Sequence, residues 1–122
     1  MLNRDGISKS TYGAPRQILA NVDLQSSVGC IVAKAVGTTV GEKKIAKAGM
    51  PIKTNMGNLQ TPATAETEGN NAVLLHDVDV TDGNANGTAL VFGFVNVNRL
   101  ESDVQAKVTP GTAVGMVQFI KF

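Results

Sequence analysis

The chain has 122 residues, which suits one domain, and 43% of them are apolar although only 4% are aromatic. Eleven basic and ten acidic side chains leave a net charge of +1, without the clustered positive charge that nucleic-acid binding needs. The single cysteine excludes an intrachain disulfide, and thirteen scattered glycines disfavour long helices. We therefore expect a small β-rich protein with an aliphatic core.

Residues 1–27 are polar, are interrupted by glycine and proline, and carry apolar side chains only singly or in pairs. Charged residues break this region, so it does not resemble a signal peptide, and we expect a soluble, non-secreted chain. An extended arm that becomes ordered on a partner is one prediction, and an unstructured terminus is the other. The candidate contact residues of the arm are Ile7, Tyr12, Pro15, Ile18, Leu19, Val22 and Leu24.

Strand patterns begin at Val28. Residues 28–36 are apolar on both faces, which predicts a strand covered on both sides. Residues 37–41 predict a turn, and residues 45–48 predict a strand or a tight turn. Pro51 cannot donate to a strand ladder and therefore indicates an edge. The polar residues 54–71 predict a long surface loop.

Residues 71–100 predict a β-hairpin with most of the large core side chains. Residues 72–80 predict the first strand of the hairpin. The Asp-Gly and Asn-Gly pairs of residues 81–87 favour a turn, and residues 88–97 predict the second strand. Strict alternation predicts a central strand between two packed layers. Its large face would be Leu90, Phe92 and Phe94, and its small face would be Ala89, Val91, Val95 and Val97.

The last part of the chain predicts one short helix and one strand. Leu100, Val104 and Val108 recur at a spacing of four before Pro110, and residues 116–122 alternate as a final strand. The complete prediction is a mainly β domain over residues 28–122, a small β-sandwich or barrel-like (β-tulip-like) fold with at most one or two short helices, preceded by the arm over residues 1–27.

No set of residues predicts catalysis or metal binding. The oxygen donors near the hairpin turn do not fit an EF-hand loop, because the glycine and the final glutamate of that loop are missing. His76 is the only histidine, Cys30 lies in an apolar run, and the Lys43, Lys44 and Lys47 cluster predicts a solvated face. We expect no enzyme, no cofactor and no metal site. The oxygen donors that a cation site would use are Asp77, Asp79, Asp82, Asn84 and Asn86, and the paired carboxylates are Glu66 and Glu68.

Three segments carry a resemblance to a known family. They are IAKAGMPIK, then AVLLHDVDVTDGNANGTALVFGFVNVNRL after a polar loop, and finally MVQFIKF. Over about residues 30 to 122 the chain resembles the head-decoration proteins of tailed bacteriophages, in which an AGTPL-like segment precedes a similar hairpin and a short final strand. It is more distantly similar to the lambda-type decoration proteins.

The resemblance implies a capsid protein of the virion that is made in the host cytoplasm. Such proteins bind the outer surface of the expanded head, usually as homotrimers at three-fold and quasi-three-fold axes, and clamp the major capsid protein against DNA pressure. Their arm typically orders on the shell. The resemblance implies neither a nucleic-acid partner nor a membrane. The alternative is a head-fibre base or a tail adaptor of the same virion.

Overall fold

A computed structural model describes residues 17–122, and this part of the chain is mainly β, as the sequence predicts. Its α-helix α1 is short, Ser102–Gln105, and 3₁₀ turns lie at Lys34–Val36 and Val97–Arg99. The strands in chain order are β1 Ser26–Val32, β2 Thr38–Val40, β3 Lys43–Ala46, β4 Pro51–Ile52, β5 Ala72–Leu74, β6 Val78–Asp79, β7 Ala85–Asn96, β8 Ala113–Val114 and β9 Met116–Ile120.

The long strand β7 is the centre of the fold. Along one edge it pairs antiparallel with β1, and Leu19 continues that edge by pairing with Val95. Along the other edge it pairs antiparallel with β5 and then parallel with β9. Strand β4 lies on β5 and β8 lies on β9, so both are edge strands. For β4 this is the position that Pro51 predicts. Strands β2, β3 and β6 form a second, smaller sheet.

The larger sheet curls into a nearly closed barrel. The gap between β1 and β4 is bridged from within the predicted loop, residues 54–71. Ala63 donates its N–H to the carbonyl of Ile31 at 2.7 Å, and Lys53 donates to the carbonyl of Thr64 at 2.6 Å. The loop prediction is confirmed, but this loop also supplies the backbone groups that close the barrel.

Two clusters of buried side chains fill the molecule. One lies inside the barrel and contains Cys30, Val32, Val36, Ala46, Met50, Ile52, Ala63, Ala72, Leu74, Val78, Val80 and Ala89. The other lies under one face of β7 and β9 and contains Ile18, Leu19, Ala48, Val73, Leu75, Leu90, Val95, Val97, Leu100, Val104, Val117 and Phe119. Aliphatic residues dominate both clusters, which agrees with the composition.

The predicted faces of β7 hold within each half of the strand, where Ala89 shares a side with Val91, and Phe92 shares a side with Phe94. The alternation breaks between the two halves. Ser27 pairs with Leu90 but Ser26 pairs with Phe92, so Val91 has no partner on β1 and the register slips by one residue. A one-residue slip of this kind reverses the faces of a strand. Leu90 and Val95 therefore share one core cluster, whereas Phe92 lies exposed on the outside.

Other boundaries differ from the predictions in smaller ways. The predicted strand over residues 28–36 ends at Val32, and the predicted turn over residues 37–41 contains β2. The first hairpin strand divides at His76: β5 pairs with β7, while β6 leaves to pair with β3. The predicted short helix is present as α1, which buries Val104.

Candidate interaction surface

The predicted arm divides into parts with different environments. Ile7, Tyr12 and Pro15 lie outside the described residues. Ile18 and Leu19 are buried in the second core cluster, so their side chains are covered by the domain itself. Val22 and Leu24 are 52% and 47% exposed. Of the candidates that the structure describes, only these last two present accessible apolar surface.

Residues 18–20 are held against β7 by backbone bonds. Ala20 donates its N–H to the carbonyl of Phe94 at 2.9 Å, and Asn96 donates to the carbonyl of Ile18 at 2.8 Å. The guanidinium of Arg99 also donates to the carbonyl of Gln17 at 3.4 Å. This short stretch belongs to the folded domain, which therefore includes residues before Val28.

The outward face of β7 and β9 is largely apolar and partly exposed. Phe92 pairs with Met116, Phe94 with Gln118, and Asn96 with Ile120, and paired residues share a face. Met116 is 69% exposed and Phe92 is 38% exposed. We define the outer apolar face as Phe92, Phe94, Met116 and Ile120. Phe122, which follows β9, is also exposed.

The loop formed by residues 21–25 lies beside this face. Ser26 pairs with Phe92, and a Cβ added to Gly93 would lie 3.3 Å from both the Leu24 carbonyl oxygen and the Gln25 Cβ. Gly93 has φ of +149°, a conformation that L side chains rarely adopt. The glycine thus permits the loop backbone to lie directly on β7.

The sequence pattern does not identify Phe92 and Met116 as surface residues. MVQFIKF has apolar residues in both of its alternating sets, so its pattern does not show which set faces the core. In β7 the slip at Val91 reverses the assignment. The only available signal is that Gln118, a polar residue, shares a set with Met116 and Ile120.

The hairpin aspartates stabilise the fold. Asp77 accepts the Ala48 N–H at 2.7 Å, and Asp79 accepts the Thr81 N–H at 2.9 Å. The hydrogen bonds from Thr81 hold the pKa of Asp79 below its ordinary value. Within residues 17–122 there is no group of three or more histidine, cysteine, aspartate or glutamate side chains that could hold a metal ion.

The remaining candidates for chemistry lie apart. His76 is exposed at the bend between β5 and β6, and Glu66 accepts a hydrogen bond from the Thr64 hydroxyl at 2.8 Å. Cys30 is buried, and burial raises the pKa of its thiol, which disfavours the nucleophilic thiolate.

The lysine cluster is not the uniformly solvated face that the sequence predicts. The Lys47 side chain is only 13% exposed, and its Nζ lies 2.9 Å from Asp103 and 3.3 Å from Glu101. Lys43 is more exposed and lies 3.5 Å from Asp79. Lys47 therefore connects the end of β3 to helix α1.

The segments that carry the resemblance interlock. Gly49 donates its N–H to the carbonyl of Leu74 at 2.7 Å, and Leu74 donates back to the carbonyl of Met50 at 3.0 Å. Gly49 has φ of +92°, and the Leu100 side chain packs directly against its Cα. Gly49 therefore lies between Leu74 and Leu100, which joins two of the three segments only through these residues.

Comparison with protein-family models, with curated proteins and with solved structures finds no match to this chain. The resemblance to head-decoration proteins therefore rests on the quoted segments alone and stays a prediction. Within residues 17–122, no helix has the length and apolar character to cross a membrane.

Proposed function

We propose that this protein is a non-enzymatic decoration protein that binds the outside of the expanded head of a tailed bacteriophage and stabilises it against DNA pressure. The partner is the major capsid protein. The observation that supports the proposal is the outer apolar face: Phe92 and Met116 are exposed side by side, next to the point where the N-terminal residues join the domain.

An exposed apolar face favours association because covering it removes apolar surface from water. Its position beside residues 17–25 means that the face and the N-terminal region can contact one surface together. A homotrimer at a three-fold or quasi-three-fold axis, which the resemblance implies, would present three such contacts. Engaging them together raises the apparent affinity well above that of one contact.

The test uses expanded heads assembled without this protein and measures occupancy by sedimentation with added purified protein. We expect the Met116→Glu variant to lose occupancy at least about tenfold, because a carboxylate in a desolvated apolar contact is costly. Met56→Glu is the matched control, since Met56 is 50% exposed on a different part of the surface. Heads carrying the wild-type protein should also survive heating better than bare heads.

Equal occupancy of the two variants would contradict a role for the outer apolar face. Failure of the wild-type protein to bind heads would contradict the proposed function. Electron microscopy of particles distinguishes the alternative, because a head-fibre base or tail adaptor would be found at a fibre or at the tail.

Deletion of residues 1–16 tests the rest of the predicted arm. Extending the deletion to residue 20 would also remove the buried Ile18 and Leu19 and would confuse loss of binding with loss of stability. We expect the shorter deletion to lower head occupancy while the thermal midpoint of the domain changes little. Unchanged occupancy would remove Ile7, Tyr12 and Pro15 from the proposed contact.

A further inference from the structure

Two dipeptides near the turn between β6 and β7 can modify their own backbone. They are Asp82–Gly83 and Asn86–Gly87. Because glycine has no side chain, the backbone nitrogen that follows the Asp or Asn residue can reach the Cγ atom of that residue. Attack by this nitrogen closes a five-membered succinimide ring, a covalent change that needs no other molecule. The structure places the two dipeptides in opposite environments.

Asp82–Gly83 lies at the tip of the turn, where its reacting groups are accessible. The Asp82 side chain is exposed, and no described residue forms a hydrogen bond or an ion pair with it. A Cβ added to Gly83 would meet nothing within 4 Å, so no atom packs against this position. The Gly83 N–H makes a turn hydrogen bond to the Val80 carbonyl at 3.2 Å. An exposed turn bond of this kind opens at little cost in free energy, which releases the nitrogen for attack.

Asn86–Gly87 is instead part of the antiparallel ladder between β1 and β7, where Gly87 pairs with Cys30. The Thr88 carbonyl accepts the Leu75 N–H at 2.9 Å on the β5 side. Successive backbone groups of an antiparallel strand point to opposite edges, so the backbone groups of Gly87 point towards β1. The nitrogen that would attack Asn86 is therefore held within the ladder.

Packing adds to this protection. A Cβ added to Gly87 would lie 2.8 Å from the Val32 side chain and 3.0 Å from the Val78 side chain. Ring closure on Asn86 would have to rotate the Gly87 peptide group out of this contact. The sequence alone ranks the two sites the other way, because an Asn side chain releases ammonia more readily than an Asp side chain releases hydroxide.

We propose that Asp82–Gly83 is a self-modification site, which forms a succinimide and then isoaspartate in the folded protein, whereas Asn86–Gly87 is protected. In the first step the Gly83 nitrogen bonds to the Asp82 Cγ atom, and the carboxyl hydroxyl leaves with the amide proton as water. In the second step water breaks one of the two bonds between this nitrogen and a carbonyl carbon. Cleavage at Cγ restores aspartate, and cleavage at the main-chain carbonyl carbon gives isoaspartate.

The residues on either side of the reacting pair confine the change. The Thr81 hydroxyl accepts the Lys44 N–H at 2.8 Å, and the Asn84 side-chain oxygen accepts the Lys34 N–H at 2.9 Å. These bonds attach the turn to β3 on one side and to the first 3₁₀ turn on the other. Isoaspartate adds one methylene group to the backbone between them, and we expect the domain to stay folded.

The test incubates the folded wild-type protein at neutral pH for several weeks, beside a sample unfolded in guanidinium chloride. Electron-transfer mass spectrometry of peptides locates isoaspartate and deamidation at each residue. It also separates Asp82 from the Asp5–Gly6 pair, which lies outside the described residues. We expect isoaspartate to form at Asp82 at rates that agree within about threefold in the two samples. Deamidation of Asn86 should be at least about tenfold slower in the folded sample.

Asp82→Glu and Asn86→Gln are the matched variants of the full chain. Each new side chain is one methylene group longer, so the imide ring would have six members and would form much more slowly. Folded Asp82→Glu should lose the modification at residue 82 and keep Asn86 protected. Folded Asn86→Gln should keep the modification at Asp82. Both substitutions are at exposed side chains, and an unchanged thermal midpoint checks that each variant is folded.

Absence of isoaspartate at Asp82 in the folded wild type would overturn the proposal. Deamidation of Asn86 at equal rates in the folded and unfolded samples would overturn it too, because the ladder would then give no protection. A signal at residue 82 that persists in Asp82→Glu would show that ring closure on Asp82 is not its source. None of these measurements involves a capsid, so their result is independent of the proposed function.

Discussion

The two faces of the β7–β9 pair are built from similar residues and have opposite environments. On the inner face, Val95, Val117 and Phe119 are buried in a continuous cluster. On the outer face, Phe92 and Met116 are exposed on the same two strands. The apolar character of a strand residue therefore does not decide whether it belongs to the core.

The difference comes from what the rest of the chain places over each face. Ile18 and Leu19 from before β1, Val104 from α1 and Leu100 from the preceding turn all join the inner cluster. Ile18 and Leu19 are far from β7 and β9 in the sequence, whereas Leu100 and Val104 follow soon after β7. Among residues 17–122, no such cluster of buried side chains lies over the outer face.

The largest expected effect separates the two faces directly. Phe119→Ala should lower the free energy of unfolding by about 3–5 kcal/mol, because it opens a cavity in the inner cluster. Met116→Ala, only three residues away in the same strand, should change it by less than about 0.5 kcal/mol. Urea denaturation of both variants measures the difference. Similar losses for the two would mean that the outer face is covered in solution.

A second, smaller effect tests how tightly Gly49 packs against the buried Leu100 side chain. In Gly49→Ala the new Cβ would collide with the buried Leu100 side chain, and the φ of +92° is itself strained for alanine. We expect a loss of about 2–4 kcal/mol from the two causes together.

Gly111→Ala is the matched control for this collision. Gly111 has a similar φ of +88°, but a Cβ there would meet nothing within 4 Å. It should lose only the strain, about 1–2 kcal/mol. Equal losses of unfolding free energy in the two variants, measured by the same denaturation experiment, would show that the Leu100 side chain can move aside and that it packs loosely against Gly49.

Much of the fold could be predicted because its signals are local. The predicted antiparallel return appears as the pairing of Val73 with Leu90. The turn is shorter than the predicted residues 81–87, because Ala85–Gly87 belong to β7 and pair with β1. Pro51 predicts the edge position of β4, and the spacing of Leu100 and Val104 predicts the short helix. Each of these follows from a residue type whose backbone preference acts within a few positions.

The rest depends on pairings between residues far apart in the chain. Ile18 enters the core only because it reaches Asn96, and Ala63 closes the barrel only because it reaches Ile31. The register slip at Val91 changes which side of β7 is buried, and it depends on how β1 pairs with β7. The sequence identified Val22 and Leu24 as candidate surface residues. Phe92 and Met116 could be identified only once the pairing of β7 with β1 and β9 was known.

The smallest effect concerns the ion pairs that Lys47 forms with Glu101 and Asp103. The hydrogen bond from Lys47 holds the pKa of Asp103 below its ordinary value, and the same bond raises the pKa of Lys47. Asp103 thus contributes stability above its unfolded pKa of about 3.9, and this contribution is lost as the pH falls through its lower folded pKa. Lys47 contributes below its unfolded pKa of about 10.4, and that contribution is lost as the pH rises through its higher folded pKa.

Asp103→Asn should reveal this dependence as a difference from the wild type. Because the Asp103 side chain is 42% exposed, solvent screening limits the loss near pH 7 to about 1 kcal/mol or less. The difference should shrink towards zero as the pH falls through the lowered folded pKa of Asp103 and the carboxyl group becomes protonated. Urea denaturation between pH 2 and about pH 7 measures it, with Asp82→Asn at the exposed hairpin turn as the control. A difference that stays constant over this range would mean that the carboxylate charge does not stabilise α1 against β3.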